Sequence, residues 1–147
     1  MREEDNIHLV LAGPINNSIK IPDRKNVHYL GALAHERVPD LFNSLDLGVI
    51  YNLKSQFGLY CFPQKAYEIL ACQLPVVAAN VGAMSSLFAD FPDCLYEPDN
   101  SDSLVAAIKR QMQDSKSVEI KIPSWREQGN KFSLLIKDVL ANNVVRG

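Results

Sequence analysis

The run Leu74-Pro75-Val76-Val77-Ala78-Ala79 constrains the fold of this chain more than any other stretch. It is apolar at every position and far too short to cross a membrane. Asn80 and Gly82 close it. A strand that is apolar on both faces must be covered on both faces, which is the condition of a parallel sheet sandwiched between helices. Four further segments share this character: IHLVLAG (7–13), NVHYLG (26–31), LGVIYN (47–52) and CLYEP (94–98). With PVVAAN (75–80) they predict five strands bounded by turn residues.

Helical patterns fill the intervals. In ALAHERVPDLFNSLD, Val38, Leu41, Phe42 and Leu45 recur at helical spacing, and Pro39 fits only the first turn. Pro63 suits the first position of a helix running to about Cys72. A short helix is expected around Met84–Ala89. In NSDSLVAAIKRQMQD, Asn100 or Ser101 caps a helix with Leu104, Ile108 and Met112 on one face. Ser124-Trp125-Arg126-Glu127 is a capping-box pattern. It opens a C-terminal helix whose apolar stripe is Phe132, Leu135, Ile136, Val139 and Leu140. Alternating strands and helices predict one α/β domain over residues 1–147, built on a doubly wound parallel sheet. Residues 53–62 form a loop of about ten residues, long enough to expect a function for it.

Composition narrows the functional classes. A net charge of −2 without a Lys/Arg cluster argues against a nucleic-acid partner. The three cysteines are widely spaced and odd in number, and the three histidines lack ligand spacing. No disulfide framework and no metal site is expected. Without a membrane span or signal peptide, the expected location is cytoplasmic.

Ligands of open parallel sheets collect outside the carboxyl ends of the strands. Four places qualify: Gly13-Pro14, Gly31-Ala32-Leu33, the 52–62 loop leading into the next helix, and Asn80 to Met84. The last turn offers backbone N–H groups suited to a phosphate or carboxylate. Neither GxGxxG nor a Walker lysine motif is present. Lys65 and Glu68, three residues apart, project to the same side of their helix. One reading is a solvent-facing ion pair contributing about 0.2–0.5 kcal/mol. The other is a lysine for phosphate charge and a carboxylate for the vicinal hydroxyls of a sugar. Spacing alone leaves both open.

Five segments, in order, resemble the C-terminal, nucleotide-sugar donor-binding half of GT-B glycosyltransferases, especially retaining bacterial enzymes of the group 1, family 4-like type. HLVLAG is similar to that family's strand ending in a glycine turn, and NVHYLGAL to its "V-x-F/Y-L-G-x-V/L" segment. LFNSLDLGVIYN resembles "L-Y-x-x-A-D-x-x-x-x-P-S". The most specific match is PQKAYEILACQLPVVAANVGA with "P-x-K-x-x-E-Y-L-A-x-G-x-P-V-V-A-x-x-x-G-G". LYEPDNSDSLVAAIKRQMQD is similar to "L-x-x-P-x-D-x-x-x-L-A-x-A-I-x-x-L-x-x-D". The resemblance implies a Rossmann-like fold, with Glu68 on the donor ribose hydroxyls and Lys65 near the diphosphate or sugar. It places Leu33, just past Gly31, where backbone groups meet the base, and Gly82 and Ala83 at the phosphate-side turn. No cofactor and no metal is implied, the nucleoside-diphosphate sugar being a substrate. The implied partners are that donor and a glycan or lipid-linked acceptor, in polysaccharide synthesis peripheral to the inner membrane.

Departures from the pattern qualify the resemblance. The family often carries a paired glutamate eight residues before Glu68, where this chain has Tyr60; Gln56 or Tyr60 would have to substitute. The glycine usual in "A-x-G-x-P" is Gln73, and the second glycine of the G-G turn is Ala83. The opening strand and helix of this half, bearing an Arg and a Lys, and the N-terminal acceptor half, are expected to be missing. The chain alone is then inactive. The competing expectation is a non-catalytic, degenerate Rossmann-like interaction module, favoured by Tyr60, Gln73 and Ala83.

Overall fold

The most deeply buried strand is the apolar run itself. In the computed structural model, which describes residues 7–16, 20–115 and 118–144, it forms strand β4, Val76–Ala79. All four of its residues are fully buried. Each buried valine stabilises the fold by about 1.5–3 kcal/mol, so a charge at Val77 would break this core. β4 pairs in parallel with β3 (Gly48–Ile50) on one side, Val77 opposite Val49. It pairs with β5 (Leu95–Tyr96) on the other, Ala78 opposite Leu95. Helix α3 (Lys65–Ala71) crosses from β3 to β4. Ile69 of α3 packs so closely on β3 that a Cβ at Gly48 would stand 3.0 Å from its Cδ1.

α3 ends in a Schellman motif. The N–H of Leu74 donates to Ile69 O (3.2 Å) and that of Gln73 to Leu70 O (3.0 Å). Ile69 and Leu74 are both buried across this end. Gln73 holds φ at +54°, the left-handed region that favours glycine. Helix α4 (Ala83–Leu87) follows β4. Helix α5 (Ser101–Gln113) is capped by Asn100, whose Oδ1 accepts from Ser103 N–H at 3.0 Å. Its inner stripe runs through Leu104, Ala107 and Ile108 to Gln111. Met112, expected on the inner face, is exposed, because 104, 107, 108 and 111 turn residue 112 outward. The buried Gln111 amide donates to Cys94 Sγ at 3.4 Å.

Residues 35–43 form a single 3-10 turn, His35–Arg37, and then α1, Val38–Asn43. Before it, β1 (Leu9–Leu11) and β2 (Val27–Tyr29) pair in parallel, Val10 opposite His28. The expected strands are all present, each shorter than its apolar segment. They form two small parallel sheets, not one: β1-β2 and β3-β4-β5. No residue of β1 or β2 is buried, whereas β4 is buried throughout. The chain divides into two compact units, Met1–Leu45 and Asp46–Gly147, each holding one sheet. The architecture is mixed α/β with parallel strands, as in a Rossmann-like domain.

The 53–62 segment is not wholly loop. It contains a one-turn helix, α2 (Gln56–Tyr60), whose N-cap Ser55 accepts from Gly58 N–H at 3.1 Å. Five residues cannot display helical periodicity, so only the cap serine marked it. The capping box at the last helix, α6 (Trp125–Val144), forms as its pattern predicts. Glu127 N–H donates to Ser124 Oγ (3.2 Å), and Ser124 N–H returns to Glu127 Oε2 (2.7 Å).

Candidate functional site

The carboxyl ends of β4 and β5 meet at a tight turn. Asn80 N–H extends the ladder to Tyr96 O at 2.8 Å, and Val81 N–H folds back to Ala79 O at 2.8 Å. Gly82 then takes φ +57° and ψ −133° ahead of α4. A Cβ there would sit 2.5 Å from Gly58 O and 2.6 Å from Leu59 O. The turn after β4 is therefore clamped directly onto the backbone of α2. Gly58 has the same kind of necessity, since an added Cβ would collide with Leu53 O. Two glycines thus lock α2 over the sheet edge. A third tie comes from Asp99, whose Oδ2 accepts from Lys54 N–H at 3.2 Å.

These segments enclose an open cleft of about 540 Å³, a size that suits a small ligand. Its polar wall is Lys54, Asn80, Ser85 and Glu97, with Leu59, Gly82 and Tyr96 completing it. Tyr96 is buried, and its hydroxyl donates to Ile50 O at 3.4 Å. Burial, with the nearby Tyr51 and Asp99 adding to it, pushes the Tyr96 hydroxyl up to about 12. This phenol stays neutral as part of the cleft floor.

Lys65 and Glu68 lie on the first turn of α3, the second helix after β3 and the one that leads into β4. Lys65 is exposed and Glu68 half-buried. The ion pairs among the described residues are Arg37–Asp40 and Lys121–Glu127, so Lys65 and Glu68 do not pair. Lys65 counts as exposed over the residue as a whole, yet the protein atoms around its ammonium desolvate it enough to lower its pKa from the ordinary lysine value. Desolvation is the whole cause, and no carboxylate offsets it. The solvent-facing ion pair that spacing allowed is not formed. Both groups are left available to a ligand.

The other expected positions are dispersed. Gly82 lines the cleft, whereas Ala83, Lys65, Glu68, Tyr60 and Gln56 are not part of its wall. Tyr60 is 85% exposed and Gln56 is exposed on α2. Leu33 is half-buried in the first unit, where Gly31 O accepts from Gly13 N–H at 2.8 Å and Tyr29 Oη donates to Gly13 O at 2.7 Å. Lys54, Ser85 and Glu97 were not singled out from the sequence, although Lys54 lies in the long segment after β3. Gly58 was also missed; the Ser55 cap three residues ahead of it was its one signal. Among the described residues, no group of three or more His, Cys, Asp or Glu could hold a metal ion.

Comparison with known proteins places these features in a family. The model of the family Glycosyl transferases group 1 matches residues 1–114. Neither a curated protein nor a solved structure matches the chain. The family match spans more than three quarters of the 147 residues and takes in β1 to α5, the cleft, Lys65 and Glu68. The chain belongs to the group 1 glycosyl transferases.

Proposed function

We propose that this chain is the donor-binding half of a retaining GT-B glycosyltransferase, holding a nucleoside-diphosphate sugar at the carboxyl edge of the β3-β4-β5 sheet. The observation that carries this reading is the pair Lys65 and Glu68: on one helical turn of a family member, an ammonium and a carboxylate without a salt bridge between them. Glu68 accepts hydrogen bonds from the vicinal ribose hydroxyls, for which a carboxylate's two oxygens are suited. Lys65 supplies positive charge to the diphosphate. The cleft beside Gly82 takes the sugar end, with Lys54, Asn80 and Ser85 as hydrogen-bond donors to it.

Catalysis in this reading is electrostatic. Charge develops on the departing nucleoside diphosphate as the bond to the sugar breaks, and groups fixed beforehand around it stabilise that charge. Lys65 is apt because its desolvated ammonium gains most from an arriving anion. The acceptor in this reading is a glycan or lipid-linked saccharide, which meets the donor sugar at the mouth of the cleft. The product belongs to polysaccharide synthesis.

Titration calorimetry with UDP and GDP tests the assignment. Weak binding is expected, lost in Glu68→Ala and weakened in Lys65→Ala. Equal affinity for wild type and Glu68→Ala would remove Glu68 from the site. An absence of any nucleotide-induced chemical-shift change at millimolar concentration would favour the degenerate, non-catalytic module, as exposed Tyr60 in place of a paired glutamate does.

A further inference from the structure

Glu97 follows β5 directly and lines the cleft between Tyr96 and Pro98. Its backbone N–H donates to Ser103 Oγ at 2.9 Å, and its carbonyl accepts from Asn100 N–H at 3.3 Å. Its carboxylate accepts at Oε2 from Asn100 Nδ2, 2.9 Å away. Asn100 is itself fixed, because its Oδ1 takes Ser103 N–H as the cap of α5. Residues 97, 100 and 103 thus close a ring of hydrogen bonds that holds the carboxylate in the cleft wall.

The cap needs only Asn100 Oδ1, so it does not account for a carboxylate at position 97. A carboxylate offers about four acceptor positions, and Glu97 Oε1 takes no donor from the described residues. The ion pairs among the described residues include neither Glu97 nor Lys54. The cleft therefore holds an acceptor oriented before any ligand arrives, which is what selection between ligands requires.

The charge around the cleft indicates what is selected. Among the described residues that line it, Lys54 is the one cation. Asp99 Oδ2 sits 3.2 Å from the backbone N of that same lysine. After burial and Tyr51, the charge of Asp99 also helps to keep the Tyr96 phenol on the cleft floor protonated. Two carboxylates, Glu97 and Asp99, are thus set around one ammonium. A sugar hydroxyl gains a charge-assisted hydrogen bond at Glu97 Oε1. A sugar carboxylate in the same place meets like charge and brings no proton to donate. On the reading that the cleft takes the sugar end of the donor, we propose that Glu97 sets the donor class. The transferred sugar is an uncharged hexose with a hydroxyl on Glu97, and uronic acids are refused.

Titration calorimetry of the 147-residue chain separates this role from nucleotide binding. UDP, UDP-glucose and UDP-glucuronic acid form one series; GDP, GDP-mannose and GDP-mannuronic acid form the other. In the series that binds, the neutral sugar should tighten binding about tenfold over the bare diphosphate, as one hydrogen bond to a charged group does. The uronate should add nothing, and low salt should widen the gap between the two sugars. Glu97→Gln keeps an oxygen for Asn100 Nδ2 and turns the free oxygen into an amide. It should leave UDP or GDP affinity in place and close the gap between hexose and uronate. The hexose gain should shrink to about threefold, a neutral hydrogen bond having roughly half the strength. Diphosphate binding in which hexose and uronate count equally would overturn the role of Glu97 alone, as would a hexose gain that survives Glu97→Gln. A chain that binds neither UDP nor GDP would overturn the nucleotide-sugar reading, and the role of Glu97 with it.

Discussion

Replacing Gln73 by glycine should stabilise this protein. Gln73 is the residue after the cap of α3, in the Schellman motif closed by Leu74 N–H on Ile69 O and Gln73 N–H on Leu70 O. Its φ of +54° brings Cβ against its own backbone, a cost of about 1–2 kcal/mol for a residue with a side chain. Glycine escapes that cost but loses more freedom on folding, about 0.4–1 kcal/mol. The side chain of Gln73 is exposed, so little packing is forfeited. The balance is a gain of roughly 0.5–1 kcal/mol. With an unfolding entropy of about 2.1 cal/mol/K per residue, that raises the Tm of the 147-residue chain by roughly 2–3 °C. Urea unfolding at constant m-value measures it, with Gln73→Ala and Gln73→Val as controls. Alanine keeps the left-handed strain and should match wild type within a few tenths of a kcal/mol. Valine, branched at Cβ, should be the least stable of the set. If glycine proves no more stable than alanine, the left-handed strain at this position is not what limits the end of α3.

At Gly82, an alanine would meet two carbonyl oxygens that belong to backbone and cannot rotate away. Gly82→Ala should cost about 2–4 kcal/mol in urea unfolding, and equal stability would refute the clamp on α2. The raised Tyr96 pKa means that the unfolded chain releases this proton from about pH 10 and the folded chain only towards 12. Stability should therefore fall across that window, and Tyr96→Phe should flatten the fall in a pH series of unfolding curves. Glu127 behaves oppositely: its hydrogen bond to Lys121, then those to Ser124, hold it down to about 2 from 4.5. Its support for α6 is complete above the unfolded value and is lost as pH drops towards 2. A carboxyl-carbon NMR titration should show that low midpoint, and Lys121→Ala should raise it.

Much of the fold can be read in the residues because strand burial and helix capping are local in origin. Val76 to Ala79 had to be covered on both faces, and β4 is. Asn100 and the Ser124–Glu127 pair cap their helices as their types dictate. What spacing could not settle is pairing in space. Whether Lys65 and Glu68 neutralise one another depends on rotamers and desolvation, which a three-residue interval does not specify. The division of the strands into two sheets is likewise a matter of distant partners. α2 escaped notice because one helical turn has too few residues to repeat.

Glycine and its absence show the boundary most clearly. By itself the sequence determined an alternating α/β chain, the position of its buried strand and the helix that presents Lys65 and Glu68. That a glycine would suit position 73 was visible only as a departure from a related pattern; the left-handed φ supplies the reason. Gly82 was legible as a turn. Its pressing against the carbonyls of Gly58 and Leu59, so that the cleft is walled by α2, was decided by tertiary structure alone. Local propensities arise within a few residues of chain, whereas a cleft is made where segments far apart in sequence close to van der Waals distance.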